Sequence, residues 1–358
     1  MKKPVLAFVF LATVAVDASA VTVTFGPSWS YANGGRPAIA VGTESNPLQV
    51  EVHHGNAPAL WTSYIGKQQV QYTTGFFPQI AADHFYNNFV ELHQGQSGPG
   101  SLWYSIGSVS NGNNPIWNVK TSFDNGAYPS VAIHATPTQR GFTLPVNAAV
   151  LEAHQGQAGV GSLWISEGTP TNANGTWTGI SWAGGAQYNS AGLAPSVAMT
   201  FASQTQTGYN TGSYQYSIVE VHGSADYCSN GVCALYYNSG ILTVSYPSLS
   251  WSIQFVNQGI YGFGANPSVT ICDAYLDINT SNPGYGAIEV HEGANGAMIA
   301  DAGVFNPVSG ALTWQQSFQY ASGYHPRVSC SGVNGVEVHQ GTSATTGPLW
   351  TSTLKAGN

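Results

Sequence analysis

A six-residue pattern recurs six times along the 358-residue chain and limits what it can fold into more than any other feature. It reads VEVHHG from Val50, VELHQG from Val90, LEAHQG from Leu151, VEVHGS from Val219, IEVHEG from Ile288 and VEVHQG from Val336. The polar Glu and His sit two residues apart between apolar neighbours, and in a strand residues two apart share a face. Ahead of each copy lies a proline-led segment: RPAIAV, FPQIAA, YPSVAI, APSVAM, NPSVTI and HPRVSC. Behind it comes LWTSYIG, SLWYSIG, SLWISEG, ALYYNSG or PLWTSTL, which the fifth copy replaces with AMIADAG. Several copies add a Trp-containing strand and a Tyr- or Phe-containing stretch ending at glycine, as in ISWAGGAQYNSAG and LTWQQSFQYASG. Each unit therefore reads as four short strands separated by Gly, Asn and Ser turns.

Successive motif glutamates lie 40, 61, 68, 69 and 48 residues apart, too irregular for a solenoid, and helix signals are almost absent. The expected fold is all-β, a six-bladed β-propeller of four-stranded blades. The last copy stops after its third strand, and Val23 to Gly35 (VTFGPSWSYANGG) matches the fourth. Pairing that N-terminal strand into the last blade closes the ring without an open seam. The architecture resembles that of secreted β-propeller repeat proteins, including propeller lectins. The resemblance covers residues 21–358, which are read as one domain.

Residues 1–20 read as a signal peptide: Lys2 and Lys3, an apolar run from Val5 to Val16, and Ala18-Ser19-Ala20 before the cut. Without them 6 basic and 15 acidic side chains remain, a net charge of −9. So few cations exclude nucleic acid as a partner. No second apolar run spans a bilayer, and 43% hydrophobic content with 12% aromatics excludes disorder. The expected location is extracellular or periplasmic. Four cysteines then suggest disulfides: Cys228 with Cys233 across the SNGV turn, and Cys272 with Cys330 between neighbouring first strands. No CxxC, GxSxG, HExxH or P-loop is present, so neither a metal nor a cofactor is expected.

The repeated pairs are Glu51/His53, Glu91/His93, Glu152/His154, Glu220/His222, Glu289/His291 and Glu337/His339. Two readings stand. They could bridge neighbouring blades, because a buried carboxylate needs hydrogen-bond donors; WD-repeat propellers are similar in using a repeated polar network. Alternatively they form a ring of equivalent ligand sites, with two metal donors per unit being too few for an ion. Gln94, Gln155 and Gln340 follow the His in three copies, and Trp61, Trp103, Trp164 and Trp350 open the third strand in four. Amide plus aromatic suits a sugar, although such Trp residues also pack between blades.

Between Pro and Glu the third, fourth and fifth units carry insertions, whose titratable members include Arg140, Asp273 and Asp277. Loops of that length on a rigid scaffold often carry function. Glu167 stands where the second copy has Ile106 and is expected to face solvent. The leading expectation is a secreted lectin-like propeller that binds a glycan at repeated shallow sites without catalysis. Two alternatives remain open: an extracellular hydrolase or lyase with its site at the channel mouth or the long-loop rim, and a protein-interaction scaffold.

Overall fold

A computed structural model describes residues 21–42, 49–56, 58–83, 88–109, 114–135, 148–157, 161–173, 176–208, 211–229, 231–273, 285–342 and 345–357. The chain is a β-propeller, all-β, with a three-residue 3-10 turn at Ala294–Gly296 as the one helical element among the described residues. The proposed signal segment lies outside them. No described helix is long and apolar enough to cross a membrane.

The strands pair antiparallel, mostly with their neighbours in sequence; the exceptions are Thr22–Phe25 with Trp29–Val41, Val70–Thr74 with Phe76–Ala82, and Ala311–Ser322 with Tyr324–Ser331, which do not pair. Long strands do double duty, because the chain passes from the outer edge of one unit to the inner edge of the next through a single sharp corner. Trp29–Val41 pairs through its first half with Gly347–Gly357 and through its second with Gln49–His54. Phe76–Ala82 begins the second unit after a break, whereas Ile116–Ala135, Thr176–Gly208 and Ser250–Asp273 repeat the continuous passage. The N-terminal Thr22–Phe25 also pairs with the last strand, Val23 opposite Ala356.

The passage turns at a Gly-x-x-Pro corner, and both ends of that motif have physical reasons. A Cβ on Gly34, Gly75 or Gly126 would fall 2.3 Å from the His53, His93 or His154 ring respectively. Only glycine fits beneath those rings. The residue before each proline has positive φ: Arg36, Phe77, Tyr128, Ala194, Asn266 and His325, between 46° and 53°. Such a residue is ordinarily held extended, and left-handed geometry costs a non-glycine about 1–2 kcal/mol.

Beyond the corner, Ile39, Ile80, Val131, Val197, Val269 and Val328 each stand two residues after their proline and line one axial cavity. Serines of the Pro-Ser-Val segments stitch these inner strands together. Ser130 Oγ accepts the Val197 N–H at 3.0 Å, Ser196 Oγ that of Val269 at 3.1 Å, and Ser268 Oγ that of Val328 at 3.3 Å. Around them the apolar strand faces merge into clusters that cross from unit to unit, such as Ile165 with Tyr216 and Leu242. Two disulfides, Cys228–Cys233 and Cys272–Cys330, complete the covalent frame. The second joins the inner strands of the fifth and sixth units.

Candidate functional site

The six motif glutamates are fully buried and their histidines at most 4% exposed. Each His Nδ1 lies 2.8–3.0 Å from its own glutamate. An ionised carboxylate can only accept, so Nδ1 carries the proton. The remaining acceptor capacity faces a tyrosine of the preceding unit. Tyr188 donates to Glu220 at 2.8 Å and Tyr320 to Glu337 at 3.2 Å. Tyr31, Tyr72 and Tyr261 stand against Glu51, Glu91 and Glu289, and burial followed by the facing carboxylate raises each phenol well above its ordinary pKa. Before the third unit the corresponding residue is Phe123, which offers no hydroxyl. Burial, partly offset by His154, raises the Glu152 carboxyl above its ordinary pKa.

This burial packs the histidines among protein groups. His53, His93, His154, His222, His291 and His339 are 1%, 4%, 2%, 2%, 2% and 4% exposed. His222 is enclosed on all its polar edges: Nδ1 is 3.0 Å from Glu220, Nε2 is 3.0 Å from Asn189 Nδ2, and the ring stacks 5.7 Å from Tyr236. His339 is held likewise, with Nδ1 3.0 Å from Glu337 and Cδ2 so close over Gly323 that a Cβ there would lie 2.6 Å away. A sugar hydroxyl cannot reach a ring packed in this way without displacing its neighbours. The physical reason is the strand position itself, which sets each ring against the glycine corner rather than toward solvent.

Across the ladder the glutamates oppose Ser63, Ser105, Ser166, Asn238, Asp301 and Ser352 in turn. Five of these can donate; Asn238 Nδ2 reaches Glu220 at 2.7 Å and Ser352 Oγ reaches Glu337 at 2.9 Å. Asp301 is the exception.

In three units the residue after the histidine bridges to the next corner. Gln340 Oε1 accepts the Arg36 N–H at 3.2 Å, Gln94 Oε1 accepts that of Tyr128, and Glu292 accepts that of His325. The amide groups of Gln94 and Gln340 donate in turn to loop carbonyls. Gln94, Gln155 and Gln340 are all buried, so these amides face protein. Trp103 is 36% exposed, and Trp61, Trp164 and Trp350 are half-buried with their indole N–H edges against Gly55, Gly156 and Gly341. Trp61 and His53 line an open cleft with Asn33 and Gln69.

The six left-handed residues converge on a shallow depression at the mouth of the axial cavity, together with Gln79 and Arg327. The Arg36 guanidinium stacks 4.1 Å over the Phe77 ring, which packs 4.5 Å from Tyr128. Arg327 Nη1 donates to the carbonyls of Pro326 and Asn266 at 2.8 and 3.0 Å. Asn266 Nδ2 donates to Glu292 at 2.8 Å, and His325 Nδ1 lies 3.2 Å from the same oxygen. Burial, then Arg36 and Arg327, push the His325 imidazole down to about 3, which leaves it neutral. Burial lowers Arg327 to about 10, still a cation at neutral pH. None of Arg36, Tyr128, Glu292, His325 and Arg327 stands out in the sequence; the available signal is their shared place beside the prolines and histidines.

Other expected residues fare differently. Arg140 and Asp277 lie outside the described residues, as does the whole stretch 274–284. The expectation that Glu167 faces solvent is corrected. It is fully buried on the same strand face as Ile165, and burial pushes its carboxyl up to about 7 despite a 3.1 Å hydrogen bond from Thr169.

No protein-family model matches the chain, and no curated protein matches it in sequence. Among solved structures it is similar to a subtype N10 neuraminidase-like protein of A/little yellow-shouldered bat/Guatemala/060/2010, at 11% identity over 94% of this chain and 100% of that one, with a TM-score of 0.42. It is similar also to Trypanosoma rangeli sialidase, at 9% identity, covering 89% of this chain but 54% of the sialidase, TM-score 0.43. A thermostable family-43 glycoside hydrolase matches at 9% identity over 91% and 90%, TM-score 0.35. These likenesses concern the propeller class and transfer no residue. The lectin expectation is corrected to this extent: these three structures are a neuraminidase-like protein, a sialidase and a glycoside hydrolase, and none bears the name of a lectin.

Proposed function

We propose that the chain is an extracellular carbohydrate-processing enzyme, a lyase or hydrolase of acidic saccharides, with its site at the axial mouth. The observation that carries this reading is the convergence of Arg36 and Arg327 on one depression with His325 and Tyr128, Glu292 lying 3.2 Å from His325 Nδ1, in a chain holding only 8 Lys and Arg. A substrate carboxylate fits between two guanidinium groups, and the Phe77 and Tyr128 rings offer faces to sugar C–H bonds. Bound there, the anion offsets the positive field that depresses His325. The neutral imidazole thereby becomes a better base for the proton next to the carboxylate. Elimination is the favoured chemistry, because hydrolysis ordinarily needs two carboxylates and none is among the described residues that line the mouth.

The same reading includes six blades of four strands, with residues 21–358 as one exported domain after a signal peptide. Support comes from the six corners, the six inner strands around one cavity and the pairing of Trp29–Gly34 with the last strand. The Glu-x-His pairs are scaffold in this reading, supported by their burial and by the tyrosines reaching them from the preceding unit.

The test is incubation of the purified chain with a panel of uronate-containing polysaccharides, following both unsaturated uronate absorbance and new reducing ends. The expected result is turnover on at least one, with Arg36→Met raising KM by about 10-fold or more through loss of a charge-assisted contact. Absence of both products across the panel overturns the proposal.

A further inference from the structure

The fifth unit breaks the repeat at one buried position, and the break changes its chemistry. Where four glutamates face serine and one faces asparagine, Glu289 faces Asp301. A donor is thus replaced by a second carboxylate in the interior. His291 Nδ1 lies 2.9 Å from Glu289 Oε2 and 3.4 Å from Asp301 Oδ2. Glu289 and Asp301 are 0% and 3% exposed, and Glu289 Oε1 and Asp301 Oδ2 have no hydrogen-bond partner. Two buried carboxylates facing one another with open lone pairs lack positive charge.

We propose that Glu289, Asp301 and His291 bind a zinc ion. One donor atom from each residue lies within 4.8 Å of the other two. A tetrahedral zinc with bonds of about 2.1 Å holds its donors about 3.4 Å apart, so small side-chain rotations close the set. Nitrogen plus two carboxylate oxygens is a donor set zinc accepts. The supporting contacts are present as well. The His291 ring bonds the Phe263 backbone, the arrangement that turns the opposite ring nitrogen toward a metal. Ser317 bonds Asp301, and the buried Tyr261 hydroxyl stands beside both carboxylates as a fourth donor. Binding releases the Nδ1 proton. This site does not depend on the enzymatic reading of the mouth.

The repeat supplies its own controls. Asp301→Ser and Asp301→Asn install the residues found at the equivalent position of sister units, so both variants should fold; Ser352→Ala alters the sixth unit instead. The chain is produced in zinc-supplemented medium and, separately, refolded with zinc. Metal content is then measured after dialysis against a weak chelator, with far-ultraviolet circular dichroism as the folding check. One zinc per chain in the parent and in Ser352→Ala, with loss in both Asp301 variants, is the expected result. Tetrahedral-type visible absorption after cobalt substitution, abolished by Asp301→Ser, is expected alongside. Zinc-free parent protein by both routes, or equal zinc in the folded Asp301 variants, overturns the proposal and leaves a proton shared between the two carboxylates.

Discussion

Gly126 of one repeat unit and His154 of the next are in direct contact: a Cβ on Gly126 would lie 2.3 Å from His154 Cδ2. The His ring is held by Glu152 on the same face of its strand, so it cannot swing aside without breaking a buried hydrogen bond. Gly126→Ala is therefore expected to lower the unfolding free energy by about 2–3 kcal/mol through overpacking. Gly98→Ala, where a new Cβ meets nothing within 4 Å, serves as the control. Denaturant midpoints that fall equally in both variants would show that the contact is unimportant.

The missing hydroxyl opposite Glu152 can be restored. Phe123 stacks 4.5 Å from Trp182, as Tyr72 stacks 5.0 Å from Trp117 one unit earlier. Phe123→Tyr is expected to give Glu152 the donor its counterparts have and to stabilise the fold by about 1–2 kcal/mol. The reciprocal Tyr188→Phe removes a 2.8 Å bond to Glu220 and should destabilise by a similar or larger amount. A double-mutant comparison with each glutamate changed to glutamine isolates the pair.

Glu167 sets a pH dependence. Its carboxyl titrates near 7 in the folded chain against a reference of 4.5. The folded state therefore holds the proton more tightly, and the associated stability is complete below about pH 4.5 and lost as pH rises through 7. The full effect is at most about 3 kcal/mol. Glu167→Ile, which copies Ile106 of the second unit, should flatten that slope and leave the variant more stable at pH 8. Equal slopes in urea titrations of the two proteins at pH 5 and 8 would rule this out.

The Cys272–Cys330 bond spans 58 residues and ties two inner strands. Loop-closure entropy assigns such a crosslink about 4 kcal/mol, against about 2–3 kcal/mol for the five-residue Cys228–Cys233 loop. Paired Cys→Ala variants should rank in that order in denaturant midpoint, and the reverse order would count against a chain-entropy origin.

The repeat, the strands and both cysteine pairs can be read from residue pattern because alternation and spacing survive in every unit. The charged mouth cannot, since nothing in a residue's identity announces that Arg36 or His325 adopts positive φ before a proline that normally forbids it. The pairs at His222 and His339 are legible as pairs, but spacing alone does not say whether their shared face meets solvent or the corner glycines of the neighbouring unit. Asp301 is hidden for another reason. The conspicuous feature of AMIADAG is its absent aromatic, while the register that sets Asp301 against Glu289 depends on a pairing visible only in three dimensions. Glu167 is legible in principle: strand alternation already puts it on the side of Leu163 and Ile165, both buried, and its charge argues the other way.

Six different amino acids, Arg36, Phe77, Tyr128, Ala194, Asn266 and His325, occupy one equivalent backbone position, flanked in every case by the same glycine two residues before and the same proline after. The corner demands a dihedral angle and leaves the side chain unspecified. Duplication could therefore copy the scaffold faithfully while the rim diverged one letter at a time, turning a symmetric ring into an asymmetric opening. A library randomised at these six codons would explore new chemistry with the least disturbance to the shell that carries it.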